Sequence, residues 1–170
     1  MIILSLGSNL SSTFGDRFDN LNLAVSFLES CGIIIEKKSS FYETPSYPNK
    51  KNPKFLNIII SIKSILPLVD LMSVLIYIEE KLERKRDQKN DPRTCDIDII
   101  DYNNQILNSK YRNLDLVVPH KELENRNFVL FPLQEIIPTW KHPKTGEIIS
   151  TLIQKLPAED RNSILMIKKN

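Results

Sequence analysis

Hydrophobic and polar positions along the chain follow two alternating periods, and each change of period marks a new element. Residues 2–6 are almost wholly apolar, which predicts a short strand, ended by the small and polar Gly7-Ser8-Asn9. Over residues 16–31, Phe18, Leu21, Val25 and Leu28 recur at helical spacing, and Gly32 follows where helices commonly leave in the left-handed conformation. Residues 33–42 predict a second strand, the Pro-, Asn- and Lys-rich stretch 44–54 a loop, and residues 55–65 a third strand. Pro67 stands where a first-turn proline is tolerated; Leu68, Leu71, Met72, Leu75, Ile78 and Leu82 then mark a second helix. Residues 95–102 predict a fourth strand, with Asn103-Asn104 as a turn signal. Further on, residues 122–134 predict a helix, 143–146 a turn and 149–156 a short helix. Strand, helix, strand, strand, helix, strand is the βαββαβ order of a ferredoxin-like α+β sandwich. It implies an antiparallel sheet with helices packed on one face, followed by a C-terminal helical extension.

The length of 170 residues fits one domain over 1–170, large enough for its own core. A net charge of +2 makes no case for a nucleic-acid or membrane partner. Charge is nevertheless concentrated: residues 81–93 hold six basic and three acidic side chains, a local +3 that exceeds the total. Cys31 and Cys95 lie far apart without ligand spacing, and both are expected to be buried free thiols. The amino terminus has no basic segment, and its apolar run is too short for a signal peptide or a membrane span. It is expected to be part of the fold of a cytoplasmic protein.

Asp96-Ile97-Asp98 is the sharpest chemical signal. On a strand, positions i and i+2 emerge on one face, so both carboxylates point the same way. Two adjacent carboxylates repel unless a positive charge lies between them, and hard oxygens in this arrangement suit Mg²⁺. Just upstream come Arg84, Lys85, Arg86, Lys89 and Arg93, whose guanidiniums are suited to polyphosphate. Carboxylates for a metal beside arginines for phosphates make a minimal kit for phosphoryl transfer. His120 and Arg126 supply further cationic contacts, whereas His142 is expected only to decorate a turn. Phe55 and Phe128, each near a polar residue (Asn57, Arg126), suit a flat heterocycle held between rings. No P-loop or GxGxxG cradle is present, so phosphates would be held by side chains and metal. Paired aspartates on such a sheet also suit nucleotidyl transfer, and the basic stretch alone would suit nucleic acid; the low net charge and the adjacent acidic pair weigh against the latter.

Several segments, in order, carry a closer likeness: Leu6-Gly7-Ser8-Asn9-Leu10, Ser40-Phe41-Tyr42-Glu43-Thr44-Pro45, Phe55-Leu56-Asn57, Asp91-Pro92-Arg93-Thr94-Cys95-Asp96-Ile97-Asp98, Val118-Pro119-His120 and Asn125-Arg126-Asn127-Phe128. Through them the chain resembles the 6-hydroxymethyl-7,8-dihydropterin pyrophosphokinases of folate biosynthesis. The resemblance implies transfer of the β,γ-pyrophosphoryl group of ATP to the substrate hydroxymethyl oxygen, with release of AMP. It implies two Mg²⁺ ions on Asp96 and Asp98, with Asp98 also orienting or deprotonating the hydroxyl. Arg84 and Arg93 would stabilise the phosphates in transit, and Glu79, Arg84, Arg86, Arg93, His120 and Arg126 would bind ATP. Gly7, Thr44, Pro45, Tyr47, Phe55, Asn57 and Phe128 would form the pterin pocket. The implied partners are these small molecules alone, and the chain is expected to be a monomer. Two departures stand out. Asn90-Asp91 replace the Trp-Gly that many members carry, in a loop one residue shorter, and Lys121 stands where some relatives have tyrosine. Loss of the aromatic lid predicts weaker pterin binding or slower closure, with activity surviving.

Overall fold

The apolar run at the start of the chain becomes β1 (Ile2–Ser8), buried along its whole length because strands flank it on both sides. The computed structural model describes residues 1–47, 49–85, 91–111 and 114–168. Helix α1 (Arg17–Ser30) begins with a capping box. The Asp16 carboxylate accepts from the Phe18 and Asp19 N–H groups, and Asp19 accepts in turn from Asp16 N–H. The chain leaves α1 through Gly32, at φ 78°.

The single strand expected over 33–42 is two, β2 (Ile34–Lys38) and β3 (Phe41–Thr44), both paired with β4 (Phe55–Lys63). Ser39 explains the break. Its hydroxyl accepts from Ile59 N–H and donates to Ser40 O, displacing main-chain pairing, and the register slips from Lys38↔Ile60 to Tyr42↔Asn57. Helix α2 (Leu68–Lys81) follows Pro67, and β5 (Asp96–Tyr102) ends in a tight turn with Asn103 and Asn104 at φ 54° and 57°. A hairpin of β6 (Leu107–Tyr111) and β7 (Leu114–Val118) forms a second sheet that the apolar pattern did not announce, since β6 is polar and exposed. The helix expected over 122–134 is a 3₁₀ turn (Leu123–Asn125) and then α3 (Asn127–Ile136), separated by the extended backbone of Arg126. Helices α4 (Ile149–Lys155) and α5 (Ala158–Asn162) and the edge strand β8 (Leu165–Ile167) complete the chain.

The main sheet is antiparallel in the order β5-β1-β4-β3-β8, with β2 also on β4. Its central strands are apolar in both directions of the pleat, so both faces must be covered. Leu4, Leu6, Ile58, Ile60 and Ile62 pack with Leu21 and Leu28 of α1 and Leu71, Leu75 and Ile78 of α2. Ile3, Ile59 and Ile100 point the other way and meet Val129, Leu130 and Leu133 of α3 and Ile149 and Leu152 of α4. Helices therefore lie on both faces, which corrects the expectation of one. The second cluster covers only part of its face; farther along β1 and β4 that same face turns polar, with Gly7 and Asn57. Cys95 is buried as expected, but Cys31 is exposed, because it caps the solvent end of α1. Among the described residues no helix is long and apolar enough to cross a membrane.

Candidate active site

Strand register gathers the candidate residues. Gly7 pairs with Asp96 on one side and with Asn57 on the other, and Asn57 pairs with Tyr42, so one row crosses β5, β1, β4 and β3. Asp98 stands opposite Ser5, two positions along the same face as Asp96. Glycine at position 7 leaves room for Asn57, since a Cβ there would lie 3.1 Å from Asn57 Oδ1 and that side chain would have to give way slightly.

The carboxylates are met by cations. Arg84 Nη1 lies 2.6 Å from Asp96 Oδ1, and Arg93 Nε lies 3.1 Å from Oδ2. Arg126 Nη1 donates to Asp98 Oδ2 at 3.0 Å, and His120 Nε2 stands 3.9 Å from the same oxygen. Behind them Glu79, 2% exposed, accepts from Ile97 N–H at 2.7 Å and is ion-paired with Arg84. Burial alone would raise the Asp96 pKa, but the Arg84 and Arg93 guanidiniums outweigh it and hold the carboxyl below its ordinary value. The same pairs, with Asp96 and Glu79 outweighing burial, raise the Arg84 pKa. Burial pushes His120 below the ordinary histidine value against the opposing pull of Asp98. Burial also pushes the Cys95 thiol up, which keeps it protonated and unsuited to be a nucleophile. A cleft of about 160 Å³ opens beside this cluster, between Met72 and Ile76 of α2 and Asp115 of β7.

On the β3–β4 side, Asn57 Nδ2 donates to Thr44 Oγ1 at 3.1 Å and to Tyr42 O at 3.4 Å. Both side chains are buried. Phe55 and Phe128 do not form an open slot here. The Arg93 guanidinium lies 5.2 Å over the Phe55 ring, and Arg126 lies 5.4 Å over Phe128. Gly7, Thr44, Phe55, Asn57, Glu79, Arg84, Arg93, Asp96, Asp98, His120, Arg126 and Phe128 thus form one connected region. Pro45 and Tyr47, which follow Thr44 along the chain, are exposed, Tyr47 at 86%. Arg86, with Lys89 and Asn90, lies outside the described residues. Asn9 and Ser46 received no role from the sequence, although both are buried and hydrogen-bonded at the edge of this region; the only signal was the polar loop after the first strand.

Among the described residues no three His, Cys, Asp or Glu side chains converge on a common point. The donor set is instead two hard carboxylates on one strand face. That fits Mg²⁺, which binds through one or two carboxylates and completes its shell with water and substrate phosphates.

Paired carboxylates met by arginines, beside a buried amide and hydroxyl, suit an enzyme whose ligand joins a polyphosphate to a polar ring. Sequence comparison resolves the class further. Residues 3–138 match the family described as 7,8-dihydro-6-hydroxymethylpterin-pyrophosphokinase, and the chain belongs to that family. It is 34% identical over 155 residues to the Synechocystis 2-amino-4-hydroxy-6-hydroxymethyldihydropteridine pyrophosphokinase, covering 91% of this chain and 75% of that one. Against the Aquifex aeolicus protein of the same name the figures are 35% identity, 84% and 83%. The folic acid synthesis protein fol1 of Schizosaccharomyces pombe is 32% identical over 92% of this chain, which spans only 20% of its length. Among solved structures, Plasmodium falciparum HPPK-DHPS superposes with a TM-score of 0.71 at 18% identity, over 91% of this chain and 44% of that one, a likeness of fold alone.

Proposed function

We propose how this chain performs the reaction of its family, the transfer of a pyrophosphoryl group from ATP to 6-hydroxymethyl-7,8-dihydropterin in folate biosynthesis. The observation that carries the proposal is the row Asp96–Gly7–Asn57. It sets phosphate-handling groups and a ring-binding amide side by side on one sheet face.

ATP lies with its polyphosphate over Asp96 and Asp98, within reach of Arg84, Arg93, Arg126 and His120, and Glu79 completes that side; the family resemblance adds Arg86, which lies outside the described residues. Asp96 and Asp98 would hold two Mg²⁺ ions, which would supply neutralisation of the phosphate charge. The pterin ring enters beside Gly7, where Asn57 and Thr44 offer hydrogen-bonding groups. Phe55 and Phe128 would close on it once Arg93 and Arg126 turn from their rings toward phosphate, with the exposed Pro45 and Tyr47 bordering it. Arg84 and Arg93 exchange Asp96 for phosphate oxygens as the substrates load. The hydroxymethyl oxygen then attacks the β-phosphorus, its proton passing to Asp98. The new O–P bond forms as the α–β bridging bond breaks, and the two terminal phosphates leave AMP together. Arg84 and Arg93 hold the charge that develops on the transferred group, which is where their contribution is greatest. The fold around this site reads as ferredoxin-like, supported by β5-β1-β4 followed by β2 and β3, with α1 and α2 across one face. The chain is proposed to act as a monomer.

The deciding experiment mixes protein, ATP, Mg²⁺ and 6-hydroxymethyl-7,8-dihydropterin and identifies the products. AMP with a pterin diphosphate is expected. ADP, or pyrophosphate with an adenylylated pterin, would overturn the proposal.

A further inference from the structure

Helix α5 and strand β8 lie beyond the family match, which ends at residue 138, yet they reach the pterin side of the site. Arg161 Nη1 donates to the Gln154 and Leu156 carbonyls, both at 2.7 Å, and so fastens α5 to the end of α4. From that base the segment touches two walls. Asn127, 9% exposed, opens α3 one residue before Phe128. Its Nδ2 donates to Asp160 O at 2.6 Å and to Ser163 Oγ at 3.0 Å. Across from it Lys50, in the stretch 44–54 that carries Pro45 and Tyr47, donates to Glu159 Oε1 at 2.6 Å. β8 then pairs with β3 and sets Met166 opposite Tyr42, so the row through Gly7 and Asn57 ends on this segment. The two tethers differ in kind. A buried carboxamide has no water to take over from lost partners, so Asn127 holds firmly. Lys50 and Glu159 are 69% and 76% exposed, and a pair in that setting shifts an equilibrium by no more than about 5-fold. It draws a loop in without locking it.

We propose that α5 is a brace between the two walls of the pterin pocket, with Asn127 and Glu159 as positioning residues. Asn127 fixes the start of α3 and with it Phe128; Glu159 draws the 44–54 segment toward the same helix. This rests on the assignment of the pterin ring to the Asn57 and Phe128 side. A ring gripped between walls binds more tightly when their spacing is set beforehand, because less ordering remains to be done on binding. The brace therefore acts on pterin affinity, while the polyphosphate keeps its own arginines.

The test is calorimetric titration of 6-hydroxymethylpterin into protein saturated with Mg²⁺ and α,β-methylene-ATP, with the nucleotide titrated separately. The variants are Lys50→Glu, Glu159→Lys, the two combined, and Asn127→Ala. Each single charge reversal should weaken pterin binding about 5-fold, and the swapped pair should return to within about 2-fold of wild type. Asn127→Ala should weaken it about 10-fold, the equivalent of one or two hydrogen bonds. Nucleotide affinity should stay within about 2-fold throughout, which a general loosening of the fold would not allow. Single reversals with wild-type pterin affinity, a swapped pair that fails to recover, or equal losses for nucleotide overturn the inference. Lys50 and Glu159 are exposed, so the charge swap decides the matter even if Asn127→Ala does not fold. A wild type that makes AMP and binds pterin, with the swap cycle flat, defeats the brace alone; a wild type that neither turns over nor binds pterin defeats the functional reading as well.

Discussion

Arg84 serves two carboxylates, the buried Glu79 behind it and Asp96 in front. Its side chain is 10% exposed and that of Glu79 3%, so truncation leaves a buried charge short of its main cation. Arg84→Ala should therefore lose turnover and also destabilise the fold, by about 3 kcal/mol on the usual scale for breaking a buried pair. Adding Glu79→Gln should restore much of that stability and none of the turnover. Thermal melts and single-turnover rates on the double-mutant cycle separate the two effects, and a full-stability Arg84→Ala would refute the pairing. At this scale much could be read in advance. The i, i+2 spacing of Asp96 and Asp98 dictates a shared face, and arginines upstream suit the same ligand. The resting partners could not be read, because which carboxylate an arginine meets depends on how α2 and β5 pack. Nor could Asn127, whose contacts to Asp160 and Ser163 join segments distant in sequence.

Elements with a strong apolar period appeared where the pattern put them; those shaped by one polar side chain did not. Ser39 divides a strand that looks continuous, and the extended Arg126 divides a helix, because in each case local hydrogen bonding overrides periodicity. The turn after Trp140 is built in the same way. His142, 5% exposed, accepts through Nδ1 from the Lys144 and Thr145 N–H groups, while Nε2 faces Glu124 at 3.5 Å. Accepting at Nδ1 requires a neutral imidazole. Burial, opposed by Glu124, Asp101 and Glu147 and aided by Lys144, holds the His142 pKa below its ordinary 6.5. The folded state thus favours the unprotonated ring. This stabilisation is complete above 6.5 and is lost as pH falls through the lowered folded value. His142→Asn keeps an acceptor without a titration, so its melting temperature should fall less than that of the wild type across this acid range. Parallel melting curves against pH would disprove the assignment.

The molecule as a whole divides its labour between the two ends of one sheet face. At one end α3 and α4 bury Ile3, Ile59 and Ile100; at the other the same face carries the site. Trp140, Ile149, Leu152 and Leu156 lie beyond the family match yet belong to that second core. Leu152→Ala should cost about 2–5 kcal/mol in denaturant unfolding and leave kcat and KM unchanged at a permissive temperature. Altered kinetic constants would mean that the two ends are not independent. The sequence announced the sheet and its first two helices but not the second helical layer, because unbroken apolar runs fit a strand covered once or twice equally well. One further property belongs to the whole site. Among the described residues Glu79, Asp96 and Asp98 are answered by Arg84, Arg93 and Arg126, so these six groups are one another's counter-ions. A triphosphate whose charge is fully neutralised by bound cations would add nothing to that sum. Loading becomes an exchange of partners at constant charge, with little field reaching out into solvent to draw the ligand in. Such an enzyme chooses its substrate on contact rather than at a distance.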